Sequence, residues 1–317
     1  MSGQAGAPRA RYFSKEPKES LLIRFSTAAR KYWFIYLLAI PGLLFLLVFS
    51  YAPMYGVVLA FKDFKMNLGV MGSPWVGLYH YRELFADPAF IQAFKNTVII
   101  NIYNLIFGFT FNVFLALMIN ELQMKRLKSV VQTCVYLPYF LSWVIFAGLV
   151  QVFLQAPVPG DVGGVVNQVI QAMGGEPIDF MKRPEMFRGI LVITNIIKTA
   201  GYSTIIYLAA VAGVDPALYE AASIDGANRR DMLLHITIPR ILPSVAVMFL
   251  LSISQLFLSN FDQVYNLYNN FVLNTGDVLS TYIYRISLGG GGEFELSTAA
   301  NLLLNVMGLI ALVVTNR

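Results

Sequence analysis

Side chains that could do catalytic chemistry are scarce in this sequence and lie far apart. The 317 residues contain two histidines, His80 and His235, and one cysteine, Cys134. A single cysteine cannot form a disulfide within the chain, and two distant histidines do not form a metal-ligand cluster. The nucleotide-binding pattern Gly-x-x-x-x-Gly-Lys-Ser/Thr is also missing. We therefore predict that the chain is not an enzyme and holds no metal or cofactor itself.

Polar residues inside long apolar stretches are more informative, because a polar group in hydrocarbon is costly. They recur at intervals of three and four residues, which places each set on one face of a helix. The four sets are Asn101, Asn104, Gly108 and Asn112; Asn195, Lys198 and Tyr202; Ser252, Gln255, Ser259 and Asp262; and Ser297, Asn301, Asn305 and Gly308.

Two interpretations of these sets stay open. They are either hydrogen-bonded contacts between packed helices or the lining of a common interior that holds water part of the time. We favour helix contacts for the first set and a cavity for the other three. A path for a polar solute would then include Asn195, Lys198, Tyr202, Gln255, Ser259, Asp262 and Asn301, while Tyr202, Gln255 and Tyr265 have the amide and aromatic groups that bind sugars.

Lys198 is the costliest of these residues, since it lies near the middle of an apolar stretch. An ionisable residue at this depth is a functional candidate whose partner must be found. One interpretation is a structural role, either an ion pair with Asp262 or an ammonium that reaches along its helix toward water. The other is a countercharge for an anionic sugar such as a uronate.

The composition indicates a membrane protein. Hydrophobic residues make up 57% of the chain and charged residues 13%, whereas a soluble domain carries about 25% charged residues. A helix crosses the bilayer with about 20 apolar residues. Six stretches come near or exceed this length, at about 32–60, 97–119, 130–154, 189–211, 244–267 and 297–314. The predicted fold class is therefore an all-α polytopic membrane protein with about six transmembrane helices.

The distribution of Lys and Arg predicts the orientation. The N-terminal tail 1–31 and the connections 121–129 and 214–242 are richer in these residues than the connections on the other side. Both termini are thus expected in the cytoplasm, with 1–31 a basic tail and 32–317 a transmembrane domain. No clear cleavage site follows the first apolar stretch, so we expect it to be retained as a span.

The segment 214–243 predicts two short capped helices at the cytoplasmic surface. Asp215 can cap the first helix, with Pro216 at its first position. Gly226 can adopt the left-handed conformation that ends a helix, and Asn228 can cap the second. A simple interhelical loop is the alternative, but two successive caps are not expected of such a loop.

Small residues in the first of these helices, Ala221 and Ala222, would let another protein pack closely, and Glu220 offers a charge to it. We expect the second helix to end at Pro239 and Pro243, before the next span.

The same segment carries a family resemblance. Glu220-Ala221-Ala222, three residues, Gly226, nine residues and Ile236-x-Ile238-Pro239 resemble the signature loop of permeases of binding-protein-dependent ABC importers, which usually have Leu in place of Ile238. Asp225-Gly226-Ala227 resembles the carbohydrate-uptake branch. The runs Trp75–Leu78, Asn96-Thr97 and Leu137–Trp143 are similar to permeases for oligo- and polysaccharides, including the alginate importer. The resemblance extends from about Tyr51 to the end.

The resemblance implies a type I permease fold, with a common core at about 92–317, in the inner membrane. The chain would pair with a second, homologous permease, two copies of a cytoplasmic ATPase and an extracytoplasmic solute-binding protein, surrounded by membrane lipid and without nucleic acid. ATP and Mg would bind only to the partner subunits. The substrate would be an oligo- or polysaccharide, including acidic ones such as alginate. The residues that would couple to the ATPase are Glu220, Ala221, Ala222, Asp225, Gly226, Ile236 and Pro239.

Two other classes of protein explain less of the sequence. A secondary transporter or channel that works alone would explain the apolar helices and Lys198, but it leaves the segment 214–243 without a purpose. A membrane enzyme would need His, Asp or Glu residues that converge near the membrane surface, and here they are few and scattered.

Overall fold

A computed structural model of the chain describes residues 31–258 and 260–316. The predicted basic tail therefore lies outside the described residues except for Lys31, and Ser259 lies outside them as well. The chain divides into two units after Gly56, and the second unit, from Val57 onward, contains every described helix except most of the first.

Twelve helices of more than one turn account for most of the described chain. They are α1 (Trp33–Phe61), α2 (Tyr79–Ala86), α3 (Pro88–Glu121), α4 (Lys125–Phe140), α5 (Trp143–Leu154), α6 (Val165–Ala172), α7 (Pro184–Ala212), α8 (Pro216–Ile224), α9 (Arg229–Ser254), α10 (Phe261–Leu267), α11 (Leu279–Ser287) and α12 (Phe294–Thr315). Single helical turns also occur at Gly69–Gly72 and Leu273–Gly276, with a short 3₁₀ turn at Phe180–Lys182.

Within the described ranges, five helices are long and apolar enough to cross a membrane: α1, α3, α7, α9 and α12. A sixth candidate is the pair α4 and α5, which are bent by 107° at a short break. The prediction of an all-α polytopic membrane protein with about six spans is confirmed. The prediction of one continuous third span over 130–154 is wrong, because Leu141 and Ser142 adopt extended backbone and Ser142 caps a new helix.

The fifth span also differs from its prediction. The apolar stretch 244–267 was expected to be one helix, but α9 already begins at Arg229 and ends at Ser254. A separate helix, α10, begins after Asn260, whose side-chain oxygen accepts a hydrogen bond from the backbone amide of Gln263.

The sequence suggests that Pro239 and Pro243 end the second helix of the segment 214–243. The structure shows that they do not. That helix continues without a break into the span as α9. A π-helical turn at Leu233–Thr237 precedes Pro239, which then occupies the first turn of the α-helical part. Proline has no backbone N–H to donate to the preceding turn, and the π-helical turn lies where the regular hydrogen-bond pattern of the helix changes.

The central helix of the second unit is α7, which packs against both α3 and α4. Gly201 permits the contact with α4, since a Cβ atom at this position would lie 2.6 Å from the Val135 carbonyl oxygen. The same atom would lie 2.7 Å from the Tyr136 Cα. Small residues allow the close backbone approach that is common between membrane helices.

Asn96 and Thr97 hold the short helices after α10 against α3. Asn96 is completely buried, and its amide donates to the carbonyls of Asn274 (3.1 Å) and Asp277 (2.9 Å). The Thr97 hydroxyl accepts from the backbone amide of Leu279 at 2.9 Å, at the start of α11. A dipeptide singled out only by resemblance thus fixes α11 to a membrane span.

The close packing at Gly201 gives a test. We expect Gly201→Ala to lower the stability of the purified protein by about 1–3 kcal/mol, the usual cost of overpacking, because backbone atoms of α4 must move. The midpoint of thermal unfolding in detergent measures this loss. The control is Gly189→Ala in the same helix, where a Cβ atom would meet nothing within 4 Å. An equal change in both variants would contradict the proposed packing role.

Candidate functional site

A cavity of about 390 Å³ lies between α3, α7 and α9, with the start of α10 in its wall. Its volume is within the range of roughly 300–1,000 Å³ typical of small-molecule sites. The described lining residues include no charged side chain. The polar ones are Thr97, Asn101, Asn104, Asn112, Asn195, Thr199, Ser203, Tyr207, Ser252, Gln255, Asn260 and Gln263.

The polar face of α3 both lines this cavity and binds neighbouring helices. Asn104 lies at the start of a π-helical turn, Asn104–Phe109, and its side-chain oxygen accepts from the Asn195 amide of α7 at 3.2 Å. Asn101 donates to the carbonyls of Leu256 (2.8 Å) and Leu258 (2.9 Å). Helix contact and cavity lining, the two interpretations of this set, therefore both apply.

The chain between α9 and α10 is unwound where it passes the cavity. Carbonyls of Leu256 and Leu258 are free of helical partners there, and Asn101 satisfies them. Beyond the turn, the buried side-chain amide of Gln263 donates to the Leu191 carbonyl (2.6 Å) and the Thr194 hydroxyl (2.9 Å) of α7. Irregular backbone at membrane depth is tolerated where the protein buries it or where it lines a water-filled cavity.

The wall formed by α7 was predicted only in part. Asn195 lines the cavity, and it is followed by Thr199, Ser203 and Tyr207 at steps of four residues. Sequence analysis missed these three residues because hydroxyl groups are weak signals in an apolar helix. Their regular spacing from Asn195 is the signal that could have found them.

Lys198 lies on the other side of α7, toward the break between α4 and α5. Its ammonium donates to the carbonyls of Pro138 (3.1 Å) and Tyr139 (3.2 Å), and also to that of Leu141. It also lies 5.2 Å from the centre of the Trp143 ring. The last carbonyls of a helix lack intrahelical partners, and a cation is favoured there by the helix dipole. Lys198 therefore caps α4 at the bend.

This geometry gives Lys198 a structural role, with partners other than those expected. Among the described residues, the partners of its ammonium are carbonyls and aromatic rings rather than Asp262. Lys198 is buried and outside the cavity lining, so it does not face a solute there. Charge and hydropathy alone could not identify these partners, because they come from a helix break sixty residues earlier in the chain.

The other residues of the predicted path are divided. Gln255 lines the cavity together with Asn195, whereas Tyr202, Asp262 and Asn301 do not belong to its described lining. Tyr202 stacks on Tyr139 with ring centres 4.9 Å apart. Asp262 is exposed in the first turn of α10. On α12, Asn301 is exposed, and its backbone oxygen accepts from Asn305.

The segment after α7 forms a separate, exposed feature. The Asp215 carboxylate accepts from the Ala217 amide at 2.9 Å, so it caps α8 as predicted. Gly226 ends α8 with a φ of 80°, a conformation that glycine adopts at little cost. Asn228 and Asp231 form a reciprocal capping box at the start of α9. The local backbone prediction is confirmed at all three positions.

The helix α8 has one side packed against the protein and one side exposed. On the inner side, Leu218 and Tyr219 pack beside Ile236 against a cluster around Val211 and Ile241. The Tyr219 hydroxyl also lies 2.9 Å from that of Thr237 in α9.

The outer side of α8 is open. It exposes Glu220, Ala221 and Asp225, while Ala222 is half-buried, and Pro239 is exposed on α9. Ile224 at the tip is 87% exposed, and sequence analysis did not single it out.

The cap at Lys198 gives a prediction. We expect Lys198→Met to lower the stability of the purified protein by about 2–3 kcal/mol, the range for hydrogen bonds to a charged group, because the carbonyls at the bend lose their donor. Thermal unfolding in detergent measures the loss. Lys95→Met, at an exposed lysine of α3, is the matched control. A Lys198→Met protein as stable as the control would contradict the capping role.

Comparisons with known proteins agree with this architecture. Residues 108–316 match the family described as "binding-protein-dependent transport system inner membrane component". The polygalacturonan/rhamnogalacturonan transport system permease protein YteP of Bacillus subtilis is 40% identical over 314 residues, covering 99% of this chain and 95% of YteP. LplB of the same organism is 37% identical over 91% of this chain and 89% of its own length.

Among solved structures, a bacterial ABC transporter involved in the import of the acidic polysaccharide alginate contains a chain that is 38% identical. The TM-score is 0.83, and the match covers 92% of this chain and 97% of that one. The bent spans, the cavity and the exposed α8 are thus found in a chain that belongs to the binding-protein-dependent transport system inner membrane components, as a multi-pass protein of the inner membrane.

Proposed function

We propose that this permease subunit of a carbohydrate ABC importer carries acidic oligosaccharides, and that α8 is the helix through which a partner ATPase drives it. The complete importer would contain a second, homologous permease, two copies of the ATPase and an extracytoplasmic solute-binding protein. ATP and Mg would be held by the ATPase subunits. The exposed, capped helix α8 is the observation that carries this proposal.

The surface of α8 supports a protein partner rather than a free loop. The short side chains of Ala221 and Ala222 let a partner approach the helix closely, while Ile224 projects from it with 87% of its surface exposed. Such a projecting apolar side chain fits a pocket in a partner, and Glu220 beside it can pair with a basic residue there. In the orientation favoured by the Lys and Arg distribution, this surface faces the cytoplasm.

The cavity supports a carbohydrate substrate. Its wall of asparagine, glutamine, serine and threonine side chains offers paired donors and acceptors, which match the hydroxyl groups of a sugar. Relatives support the acidic class, since YteP is named for polygalacturonan and the solved transporter for alginate. Both polymers are built from uronic acids or contain many of them.

The coupling role of α8 can be tested at its glycine. Gly226→Ala should reduce uptake at least tenfold, because alanine is strained at a φ of 80° and would change the end of α8. The measurement is ATP-dependent uptake by the reconstituted importer, with binding of oligosaccharide to the solute-binding protein measured alongside. Gly148→Ala in α5 is the control, as a Cβ atom there meets nothing within 4 Å.

Two charge variants complete this test. Glu220→Ala should uncouple uptake from ATP hydrolysis, whereas Glu176→Ala, at an exposed glutamate outside α8, should not. Wild-type uptake in both Gly226→Ala and Glu220→Ala would show that α8 is not the coupling element.

The cavity wall gives a second prediction. Gln255→Leu should raise the KM for oligosaccharide about tenfold, because a sugar hydroxyl loses its partner in a desolvated site, a loss of about 1–3 kcal/mol. Uptake measured over a range of concentrations separates KM from the maximal rate. Gln171→Leu, at an exposed glutamine in α6, is the matched control. Equal KM values for the two variants would exclude this wall from the substrate path.

A further inference from the structure

A second concave site lies beside the cavity, at the end of the bundle away from α8. It has a volume of about 420 Å³ and is lined by Tyr265, Tyr268, Asn269, Asn270, Leu273 and Arg285. We call it the tyrosine platform. We propose that the platform binds one or more sugar rings of an oligosaccharide whose leading rings have entered the cavity, a subsite that rests on the proposed function.

The two tyrosines of the platform belong to a connected cluster of rings across two helices. Tyr265 of α10 packs face to face on Phe261, with centres 5.0 Å apart and an angle of 22°. On α11, Tyr284 meets the Tyr265 ring edge to face at 5.2 Å. Tyr268 lies 6.1 Å from Tyr265 on the other side. Packed in this way, the rings keep fixed orientations at a low entropic cost to a ligand.

The chemistry of the lining matches a carbohydrate. The Tyr265 ring is 42% exposed and offers an apolar face, on which the C–H groups of a pyranose can stack. Asn269 and Asn270 add amide groups beside it. At the rim, Arg285 is fixed by two hydrogen bonds to Asp277, at 2.7 and 3.1 Å. The site therefore combines apolar ring surface with hydrogen-bond donors and acceptors, as a sugar requires.

An aromatic belt at the membrane surface is the competing explanation, because tyrosine is common there. Belt residues face lipid singly around a bundle. Here Tyr265 and Tyr268 line one concave site together with two amides and with Arg285 of an ion pair. The ion pair and amides would be poorly placed against lipid.

Continuity with the cavity identifies the occupant. The helix α10 presents Gln263 and Val264 to the cavity and Tyr265 to the platform. The two sites thus lie on adjacent faces of one short helix. A cavity of about 390 Å³ is at the small end of the range for ligand sites, so a longer oligosaccharide extends beyond it, and the platform is the adjoining site.

Chain length is the variable that tests this inference. The reconstituted importer with its solute-binding protein would take up digalacturonate and pentagalacturonate in parallel. Tyr265→Leu should raise the KM for the pentasaccharide about tenfold, which corresponds to ~1.4 kcal/mol of lost stacking, and leave the KM for the disaccharide unchanged. Tyr265→Phe, which keeps the ring, should behave like wild type.

The control variant is Tyr79→Leu, at an exposed tyrosine of α2 outside the platform. A similar loss for both lengths of sugar would show a structural role, or a contact with the second permease, and overturn the platform. Wild-type KM values in Tyr265→Leu would overturn it as well.

A direct measurement separates this inference from the proposed function. Saturation-transfer difference NMR of pentagalacturonate with the purified complex should show transfer to the sugar ring protons, and Tyr265→Leu should weaken it. Absence of transfer in the wild type would overturn the platform even if uptake occurs. Transfer that Tyr265→Leu leaves unchanged would do so too. Uptake that does not depend on ATP would instead refute the proposed coupling to an ATPase. The NMR result would still show whether the platform binds sugar.

Discussion

Every interruption of a helix within the hydrocarbon region must find partners for its free backbone groups inside the protein, because lipid supplies none. Two interruptions lie beside the central helix α7. At the bend between α4 and α5, Lys198 supplies the donors. At the unwound end of α9, Asn101 supplies them. The costly polar residues of the spans are thus explained first by the breaks that they stabilise, and the cavity lies beside the second of these breaks.

The position of α7 connects these features. One face carries Asn195, Thr199 and Ser203 into the cavity, while the opposite side presents Lys198 and Gly201 to α4. Its 29 residues form a rod of about 44 Å at 1.5 Å per residue, and only a short turn separates it from α8. In the coupling proposed above, a displacement of α8 would be delivered along this one helix to the cavity wall and to the bent span together.

Features decided by neighbouring residues could be predicted from the sequence, and those decided by distant ones could not. The caps at Asp215, Gly226 and Asn228 are local, so their residue types were sufficient. The carbonyl partners of Lys198 come from another helix. The continuation of α9 through Pro239 depends on a π-helical turn that has no simple signature. Tertiary context decided these elements.

The distribution of charge limits where an acidic sugar can be selected. In the described part of the chain, the one lysine deep in α7 is already used by backbone carbonyls, and the cavity lining is uncharged. A fixed cation at mid-membrane would hold a polyanion tightly, whereas transport requires binding weak enough for release. Amides and hydroxyls satisfy that requirement because they bind sugar hydroxyls one at a time. For the acidic substrate proposed above, selection for charge would take place before the cavity, at the end where Arg285 borders the tyrosine platform, or in the proposed partner subunits.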